Sequence, residues 1–556
     1  MTRDRTRYRF GPLERRGLIA GWRGGQIAAV AAGLVLAVVL LHGRVGVPEI
    51  AVAVLAVVGG VGAAWWPVAG RHPEEWAPIV IRWTVTRASG GHRRRGGVAA
   101  SGHCIGPDGE PCLVAVTGAE RQRPSARPSR RAVRRTPPPT GPPLRAAARP
   151  PVPPPAWRRA RPTARPPVPP PAWRRARPPA RSGLWASLRM LELDAGDGRG
   201  RLGVVHDPRS RTYTATMRVL GHSFALLGWE EKERRVESWA SVLSSLARDR
   251  AVAHRVQWIA TTLPDDGAGV ANHLEACGVL PTDAPPRRSY AELLRTAGAA
   301  TCRHDVLLAV QVRVAGPVAR MVRSAGGGHR GACAVLAREL RTLERQLASA
   351  DVPVEGVLDA RELASVVRRA GEAPPGRVGM CPPCGVGWPW PVAVDAEWSC
   401  VRTDALWHAT YWIAEWPRVD VGPEFLGPLL LGSVRRSVAV VMEPVAPGRA
   451  VRQAERARTA DIADAELRRR GGFLATARRA REAELASRRE EELADGHASY
   501  RFAGYVTVSA AAREELDAAC DATEQAASQC RLELRRLYGD QERAFACTLP
   551  IARGLA

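Results

Sequence analysis

Two apolar runs near the start of the chain decide its architecture: residues 25–41 read GQIAAVAAGLVLAVVLL, and residues 50–66 read IAVAVLAVVGGVGAAWW. Each run has 17 residues and no charged side chain, which is at the short end of the range for a membrane-spanning helix. A cleaved signal peptide would not be followed by a second apolar run after so short a loop. The pattern therefore predicts a two-helix transmembrane hairpin over residues 25–66.

Arginine residues outside the hairpin predict its orientation. Seven arginines precede the first run, six follow the second run up to residue 95, and the connecting loop has only Arg44. Because basic residues stay on the cytoplasmic side, we expect a multi-pass protein of the cell membrane with both termini in the cytoplasm. Spans without ionisable groups offer no ion pathway, which favours an anchor over a transporter. The residues predicted at the membrane interface are Trp22, Arg23, Trp65, Trp66 and Arg71.

Basic charge is concentrated in the first third of the chain. The 556 residues carry a net charge of +26, and residues 1–183 supply 31 arginines against 8 acidic residues. The remainder is close to neutral, so any binding of nucleic acid or anionic lipid has to depend on the first third. Lys232 is the only lysine. No Gly-x-x-x-x-Gly-Lys-Ser/Thr string exists, which excludes a P-loop NTPase.

A segment rich in arginine and proline follows the hairpin. Residues 121–183 contain 17 arginines, 20 prolines and no acidic residue, a composition that predicts a disordered linker. Within it, residues 150–161 recur as residues 166–177. The repeat is either a basic arm that contacts anionic lipid or nucleic acid, or a linker lengthened by repeat expansion. The residues that would make such contacts are Trp157, Arg158, Arg159, Arg161, Trp173, Arg174, Arg175 and Arg177.

No catalytic or metal-binding motif is complete. Cys381 and Cys384 form one C-x-x-C pair, whereas a four-thiolate zinc site needs two. Residues 326–331 are glycine-rich and could hold an anion, but they lack the lysine of a nucleotide-binding loop. Residues 438–443 look like a Walker B strand with no Walker A partner, and His408 is expected to be a packing residue on a strand. We therefore expect no enzyme activity, no cofactor and no metal.

From about residue 200 onward, strand and helix patterns alternate in two rounds. Alternation with period two predicts strands over residues 211–219 and 408–416, and residues 450–494 predict long charged helices with a break at the glycine pair 471–472. Residues 545–549 predict a closing strand. Both rounds fit split-βαβ units. The expected fold class is a membrane-anchored α+β protein with two such subdomains and a long helical hairpin. The expected segments are a basic N-terminus (1–24), the hairpin (25–66), a juxtamembrane region (67–120), the linker (121–183), a first subdomain (184–370), a Cys/Pro/Trp loop (371–399) and a second subdomain (400–556).

Several longer strings carry a family resemblance. They are RYRFGPLERRG (7–17), RTYTA (211–215), SFALL (223–227), HATYWIAEWPR (408–418), ARTADIADAELRRRGGF (457–473) and TLPIARGL (548–555). With them the chain resembles actinobacterial integral membrane proteins associated with type IV secretion and conjugation loci. The resemblance implies a hairpin like the small PrgI-like inner-membrane subunit. It also implies a body like the non-catalytic N-terminal region of the conjugation ATPase.

Two functions of different class follow. The resemblance implies a non-enzymatic inner-membrane scaffold that contacts the lipid bilayer, docks a separate P-loop ATPase and other channel subunits, and is oligomeric in the assembled apparatus. The alternative is a membrane-tethered nucleic-acid-binding protein acting through residues 121–183. That alternative predicts salt-dependent DNA binding that disappears when residues 121–183 are deleted.

Overall fold

The computed structural model describes most of the body and parts of the N-terminal region. The described residues are 24–42, 46–65, 73–95, 103–105, 111–113, 184–194, 201–221, 224–248, 251–264, 268–298, 302–371, 389–391, 393–470 and 477–555.

These stretches contain the following elements. The helices are α1 (Gly24–Leu41), α2 (Val47–Trp65), α3 (Pro73–Ala88), α4 (Trp229–Leu246), α5 (Ala268–Cys277), α6 (Pro285–Gly298), α7 (Gly316–Ser324), α8 (Gly328–Ser349), α9 (Ala360–Gly371), α10 (Gly427–Leu430), α11 (Pro447–Arg470), α12 (Ala477–Ala494), α13 (Arg513–Gln529) and α14 (Gln541–Phe545). The strands are β1 (Arg93–Arg95), β2 (His103–Ile105), β3 (Pro111–Leu113), β4 (Arg189–Asp194), β5 (Arg201–Asp207), β6 (Thr212–Val219), β7 (Ala253–Pro264), β8 (Cys302–Arg313), β9 (Val354–Val357), β10 (Ala393–Ala396), β11 (Val401–Thr403), β12 (Leu406–Glu415), β13 (Arg436–Val445), β14 (Ser499–Ala510) and β15 (Glu533–Arg536).

A single sheet of 13 strands forms the centre of the described body. Its order is β1-β10-β11-β12-β14-β13-β7-β8-β6-β5-β4, with β15 also paired to β12 and β9 to β6. All of the recorded pairings are antiparallel. Strands β2 and β3 pair separately with each other.

The large sheet consists of two halves with the same topology. The first half has the spatial order β4-β5-β6-β8-β7, and the second half repeats it as β10-β11-β12-β14-β13. Each half adds one short strand to its third strand with a shift of register: β9 on β6, and β15 on β12. Each half also inserts two helices into its last hairpin, α5 and α6 between β7 and β8, and α11 and α12 between β13 and β14. The halves meet where the equivalent strands β7 and β13 pair.

Backbone conformations repeat between the halves as well. Arg211, just before β6, has a φ of 56°, and Asp404, just before β12, has a φ of 46°. After α8 and α13, Asp351 and Arg531 have φ values of 55° and 57°. Positive φ is uncommon for residues other than glycine. Its occurrence at matching places, together with the shared topology, indicates that the body is an internal duplication.

Helices pack on both faces of the sheet. In β8, Leu308 packs in the cluster that includes Leu336 and Leu343 of α8, whereas its neighbour Leu307 packs with Leu363 of α9 on the other face. This follows from the alternation of side chains along a strand. The face of the second half that corresponds to α8 is covered by α10 and α13. Burial of each such leucine contributes about 1.5–3 kcal/mol.

The first two helices pack against each other through small residues. A Cβ atom on Gly33 would lie 2.8 Å from the carbonyl oxygen of Ala56, and one on Gly60 would lie 2.9 Å from that of Ala29. The two backbones can therefore approach this closely only because glycine stands at both positions. Among the residues that the structure covers, no helix combines the length and the apolar content needed to cross a membrane.

Some elements differ from the expectation drawn from the sequence. Residues 545–549 were expected to form a closing strand, but they continue from α14 into a 3₁₀ helix at Ala546–Thr548. A short buried apolar run fits either structure, because periodicity alone does not separate them. The expected loop 371–399 contains β10, and the juxtamembrane region 67–120 contains α3 and β1. Strands β7 and β13 join the two expected subdomains in one sheet.

Candidate functional site

Helix α3 is attached to the second half of the sheet by aromatic side chains. Trp76 stacks on Trp398 with ring centroids 5.8 Å apart, and Trp83 meets the same ring edge-on at 5.1 Å. Trp398 in turn stacks on Tyr538 at 6.4 Å. Trp76 and Trp83 are seven residues apart, so they lie on one face of the helix. We call these four residues the aromatic clamp.

Polar contacts and one glycine complete the clamp. Arg82 forms an ion pair with Asp540, and the N–H of Gly539 donates to the carbonyl oxygen of Trp398 at 2.7 Å. Gly539 has a φ of 74°, and a Cβ atom there would lie 2.7 Å from Cγ2 of Ile79 on α3. Glycine is therefore required for both the turn and the close approach of α3.

Beyond α3, the chain continues into the sheet. Strand β1 pairs with β10, with Arg93 opposite Asp395. Nε of Arg93 lies 3.2 Å from a carboxylate oxygen of Asp395. Helix α3 and strand β1 together therefore connect the hairpin region to the edge of the sheet by two successive attachments.

A row of polar side chains crosses the middle of the sheet. Asp305, Thr261, Ser437, Thr507 and Thr410 are successive register partners on β8, β7, β13, β14 and β12. The hydroxyl oxygens of Thr261 and Ser437 are 3.2 Å apart, and those of Thr410 and Thr507 are 2.8 Å apart. The Thr261–Ser437 pair lies at the junction of the two halves.

A second polar row lies beside the first and consists of Thr403, His408 and Ser509 on β11, β12 and β14. His408 is fully buried, with Nδ1 2.8 Å from the Ser509 hydroxyl and Nε2 2.6 Å from the Thr403 hydroxyl. Its ring stacks on Phe545 at 4.3 Å. Burial, with a smaller effect from the charge of Arg435, lowers the pKa of His408 to about 3. His408 is therefore a neutral packing residue with both ring nitrogens hydrogen-bonded.

A small cavity opens between α9 and these two rows, and we call it the seam cleft. Its volume is about 40 Å³. Arg435 donates from Nη2 to the carbonyl oxygen of Arg369 at 2.6 Å, and Nη1 of Arg369 lies 3.6 Å from the Asp305 carboxylate. Burial lowers the pKa of Arg369, and the nearby Asp305 partly opposes this effect. The polar residues that line the cleft are Thr261, Asp305, Arg369, Arg435, Arg436, Ser437, Thr507, Ser509 and Thr548.

Most of the residues singled out from the sequence lie outside the described part of the chain. Trp65 is the last residue of α2. The remaining interface residues Trp22, Arg23, Trp66 and Arg71 are outside that part, and so are the whole repeat in residues 121–183 and the pair Cys381 and Cys384.

The glycine-rich and Walker-like motifs have structural roles. Gly326, Gly327 and Gly328 all have positive φ and form the turn between α7 and α8. Residues 438–443 are part of β13, where Glu443 pairs with Arg255 at 2.9 Å. Within the described residues, no group of three or more His, Cys, Asp or Glu side chains is arranged to hold a metal ion.

Sequence reasoning did not find the aromatic clamp or the seam cleft. The seven-residue spacing of Trp76 and Trp83 was a usable signal for one helix face, but their partners Trp398 and Tyr538 are more than 300 residues away. The residues of the cleft come from separate strands and from α9, so only the register of the sheet brings them together.

Comparison with known proteins points to secretion. Residues 300–413 match the family model described as "Putative type VII ESX secretion system translocon, EccE". The matched segment includes Asp305 and Arg369 of the cleft and Trp398 of the clamp. A search of curated proteins found no match.

The match supports a relation to a secretion-system membrane component. It concerns a type VII system, whereas the sequence strings were expected to indicate a type IV system. The association with conjugation and the likeness to a PrgI-like subunit find no support in it.

Proposed function

We propose that this chain is a membrane-anchored, non-enzymatic scaffold subunit of a type VII secretion apparatus. The observation that carries the proposal is the aromatic clamp. It attaches α3, and through it the N-terminal region, to Trp398 in the segment that matches a type VII translocon family. A subunit built in this way holds its body at a fixed place beside its anchor.

In this proposal, residues 25–66 insert in the membrane and both termini face the cytoplasm. The support is the outward apolar surface of α1 and α2, since contiguous exposed apolar patches indicate membrane or protein contact. The close glycine crossing of the two helices is also typical of helix pairs in lipid. The exposed apolar side chains are Leu34, Val35, Leu36, Val38, Val39, Leu41, Val47, Ile50, Val52, Val54, Leu55, Val58 and Val61.

Helix α3 contributes a second apolar surface in the same region. Its inner face packs on the clamp, whereas Val80, Ile81 and Val85 on its outer side are 41%, 62% and 62% exposed. Since α3 begins shortly after α2 ends, we place this outer side against the membrane surface. The arrangement fits an amphipathic helix that lies in the headgroup region.

The proposed partners are the other subunits of the apparatus, among them a separate P-loop ATPase. The lack of a Walker A string in the sequence supports a division of labour in which another chain supplies the motor. The body would then serve as the docking platform, with chemistry carried out elsewhere.

Affinity purification from native membranes, followed by mass spectrometry, tests the proposal. We expect the wild-type chain to retain other type VII subunits and a P-loop ATPase. The Trp398→Ala variant should remain in the membrane fraction but lose these partners, and Trp416→Ala, a tryptophan that packs on Phe502 away from the clamp, should retain them.

Two outcomes would contradict the proposal. Recovery of the wild-type chain without other proteins would contradict the scaffold role. Recovery with nucleic acid only would favour the membrane-tethered nucleic-acid-binding alternative. A reporter fused after residue 95 checks the topology separately, and a signal from the far side of the membrane would overturn the orientation.

A further inference from the structure

The seam cleft has an excess of positive charge. Asp305 is the one acidic residue among its described lining residues, and it is paired with Arg303, whose Nε lies 2.9 Å away, as well as with Arg369 at 3.6 Å. Arg435 adds a further guanidinium to the lining. Asp305 is thus the single acidic residue of a described lining that includes Arg369, Arg435 and Arg436, which leaves the cleft attractive to an anion.

Arg369 also has a donor that lacks an acceptor. Its Nε is buried and has no hydrogen-bond partner among the residues that the structure describes. A buried donor without an acceptor is destabilising, and a charged donor more so. An oxyanion in the cleft would supply the missing acceptor through the charge-assisted, planar contacts that arginine makes with phosphate.

The hydroxyl groups of the polar row can add neutral donors. In the Thr261–Ser437 pair, one hydroxyl donates to the other across 3.2 Å, so the accepting hydroxyl keeps its own proton for a ligand. The cavity of about 40 Å³ exceeds what one water needs and suits a group the size of a single oxyanion rather than a nucleotide.

Asp305 restricts which anion fits. A carboxylate repels an anion that has no proton to donate, such as sulfate at neutral pH. Hydrogenphosphate carries a P–O–H group that can donate to a carboxylate oxygen. We propose that the seam cleft binds inorganic phosphate through Arg369 and Arg435, and that Asp305 selects hydrogenphosphate, which has a proton to donate, over sulfate.

This site is independent of the scaffold role, which needs no ligand. Because Ser437 lies on β13 and Thr261 on β7, bound phosphate would contact both halves of the sheet at their junction. Pockets at the boundary between structural units are frequent ligand sites.

Isothermal titration calorimetry on the purified full chain in detergent tests the proposal, with inorganic phosphate, glycerol phosphate and sulfate as probes. We expect saturable binding of inorganic phosphate, and at least about tenfold weaker binding of sulfate. Glycerol phosphate should also bind weakly, because above its second pKa of about 6 it has no P–O–H proton to donate. The proposal is overturned if inorganic phosphate does not bind saturably, or if sulfate or glycerol phosphate binds equally well.

Variants locate the site. Arg369→Gln and Arg435→Gln should each weaken phosphate binding about tenfold, whereas Arg345→Gln, the same charge change on the exposed side of α8, should leave it unchanged. Equal weakening by all three would mean non-specific attraction and would overturn the site.

The Asp305→Asn variant keeps the test valid if an arginine variant fails to fold. Removal of the carboxylate should raise sulfate affinity until it approaches that for phosphate, a gain that loss of structure cannot produce. Unchanged selectivity in this variant would contradict the assigned role of Asp305. Because the titration uses the isolated chain, its result does not depend on whether secretion subunits co-purify.

Discussion

Arg82 on α3 forms an ion pair with Asp540, although 458 residues separate them in the sequence. Both side chains are partly exposed, and ion pairs of this kind contribute about 0–1 kcal/mol. Trp76 and Trp83 on the same helix pack on Trp398 and bury apolar surface there. The attachment of α3 should therefore depend more on the aromatic clamp than on the ion pair.

Replacement of Trp398 should release α3. We expect Trp398→Ala to lower the stability of the docked helix by about 2 kcal/mol, because a partly buried tryptophan is removed. Arg82→Gln should lower it by less than about 1 kcal/mol. Hydrogen exchange of the amides of α3 measures both, and equal effects would show that the ion pair is as important as the clamp.

Gly539→Ala should loosen the same attachment. The substitution places a Cβ atom 2.7 Å from Ile79 and 2.8 Å from Trp398, in addition to the strain of a φ of 74°. Gly496→Ala is the matched control, because Gly496 has a φ of 90° but no atom within 4 Å of its Cβ position. We expect the control to cost about 1 kcal/mol and Gly539→Ala to cost more, with faster exchange in α3. Equal costs would mean that α3 does not pack against Gly539.

His408 should make stability fall in mild acid. The folded protein keeps His408 neutral, with its pKa lowered to about 3, whereas the unfolded chain takes up a proton near pH 6.5. Its contribution to stability is therefore complete above pH 6.5 and is lost progressively as the pH falls towards 3. Between pH 6.5 and pH 5 this loss amounts to about 2 kcal/mol.

Unfolding of the wild type and of His408→Asn, measured at pH 7 and pH 5, checks this assignment. The variant should be less stable at pH 7 and should depend less on pH. His206, whose pKa burial lowers to about 4, is present in both proteins, so its effect cancels. An unchanged pH dependence in the variant would rule out His408 as the source.

Gly33 should be essential for the packing of α1 on α2. Gly33→Ile would force the two backbones apart, since even a Cβ atom meets the Ala56 carbonyl oxygen at 2.8 Å. Gly59→Ile is the control, because no atom lies within 4 Å of the Cβ position there. We expect faster amide exchange in α1 and α2 for Gly33→Ile only. Protection that survives in this variant would argue against the close helix crossing.

Local patterns in the sequence correspond well to individual elements of the body. The strand expected over residues 211–219 is Thr212–Val219, and the helical stretch expected over residues 450–494 is Pro447–Arg470 and Ala477–Ala494. Alternation and charge periodicity suffice for such elements because the signal lies within the segment itself. The short strands β9 and β15 were missed because four residues carry too little pattern and their pairing partners are distant.

The sites could not be predicted in the same way. Trp398 and Trp76 are brought together by tertiary packing alone, and the cleft depends on the register of β7 against β13. The tryptophans and arginines selected from the sequence lie in or next to the apolar runs or within the segment rich in arginine and proline, because an unusual composition is visible in the sequence alone. Arg369 of the seam cleft and Trp398 of the aromatic clamp lie instead in segments of ordinary composition.

Pairing of the equivalent strands β7 and β13 has a consequence for assembly. Two identical subunits related by a two-fold axis would pair their edge strands in this antiparallel manner. The body therefore has, within one polypeptide, the arrangement of a two-fold symmetric dimer of half-length units. Within the described residues, β1 pairs with β10, the outer strand of the second half, so the tether joins the sheet at the edge of one half. Each chain therefore contributes two structurally equivalent halves to an assembly. The number of such halves in the assembly is twice the number of chains.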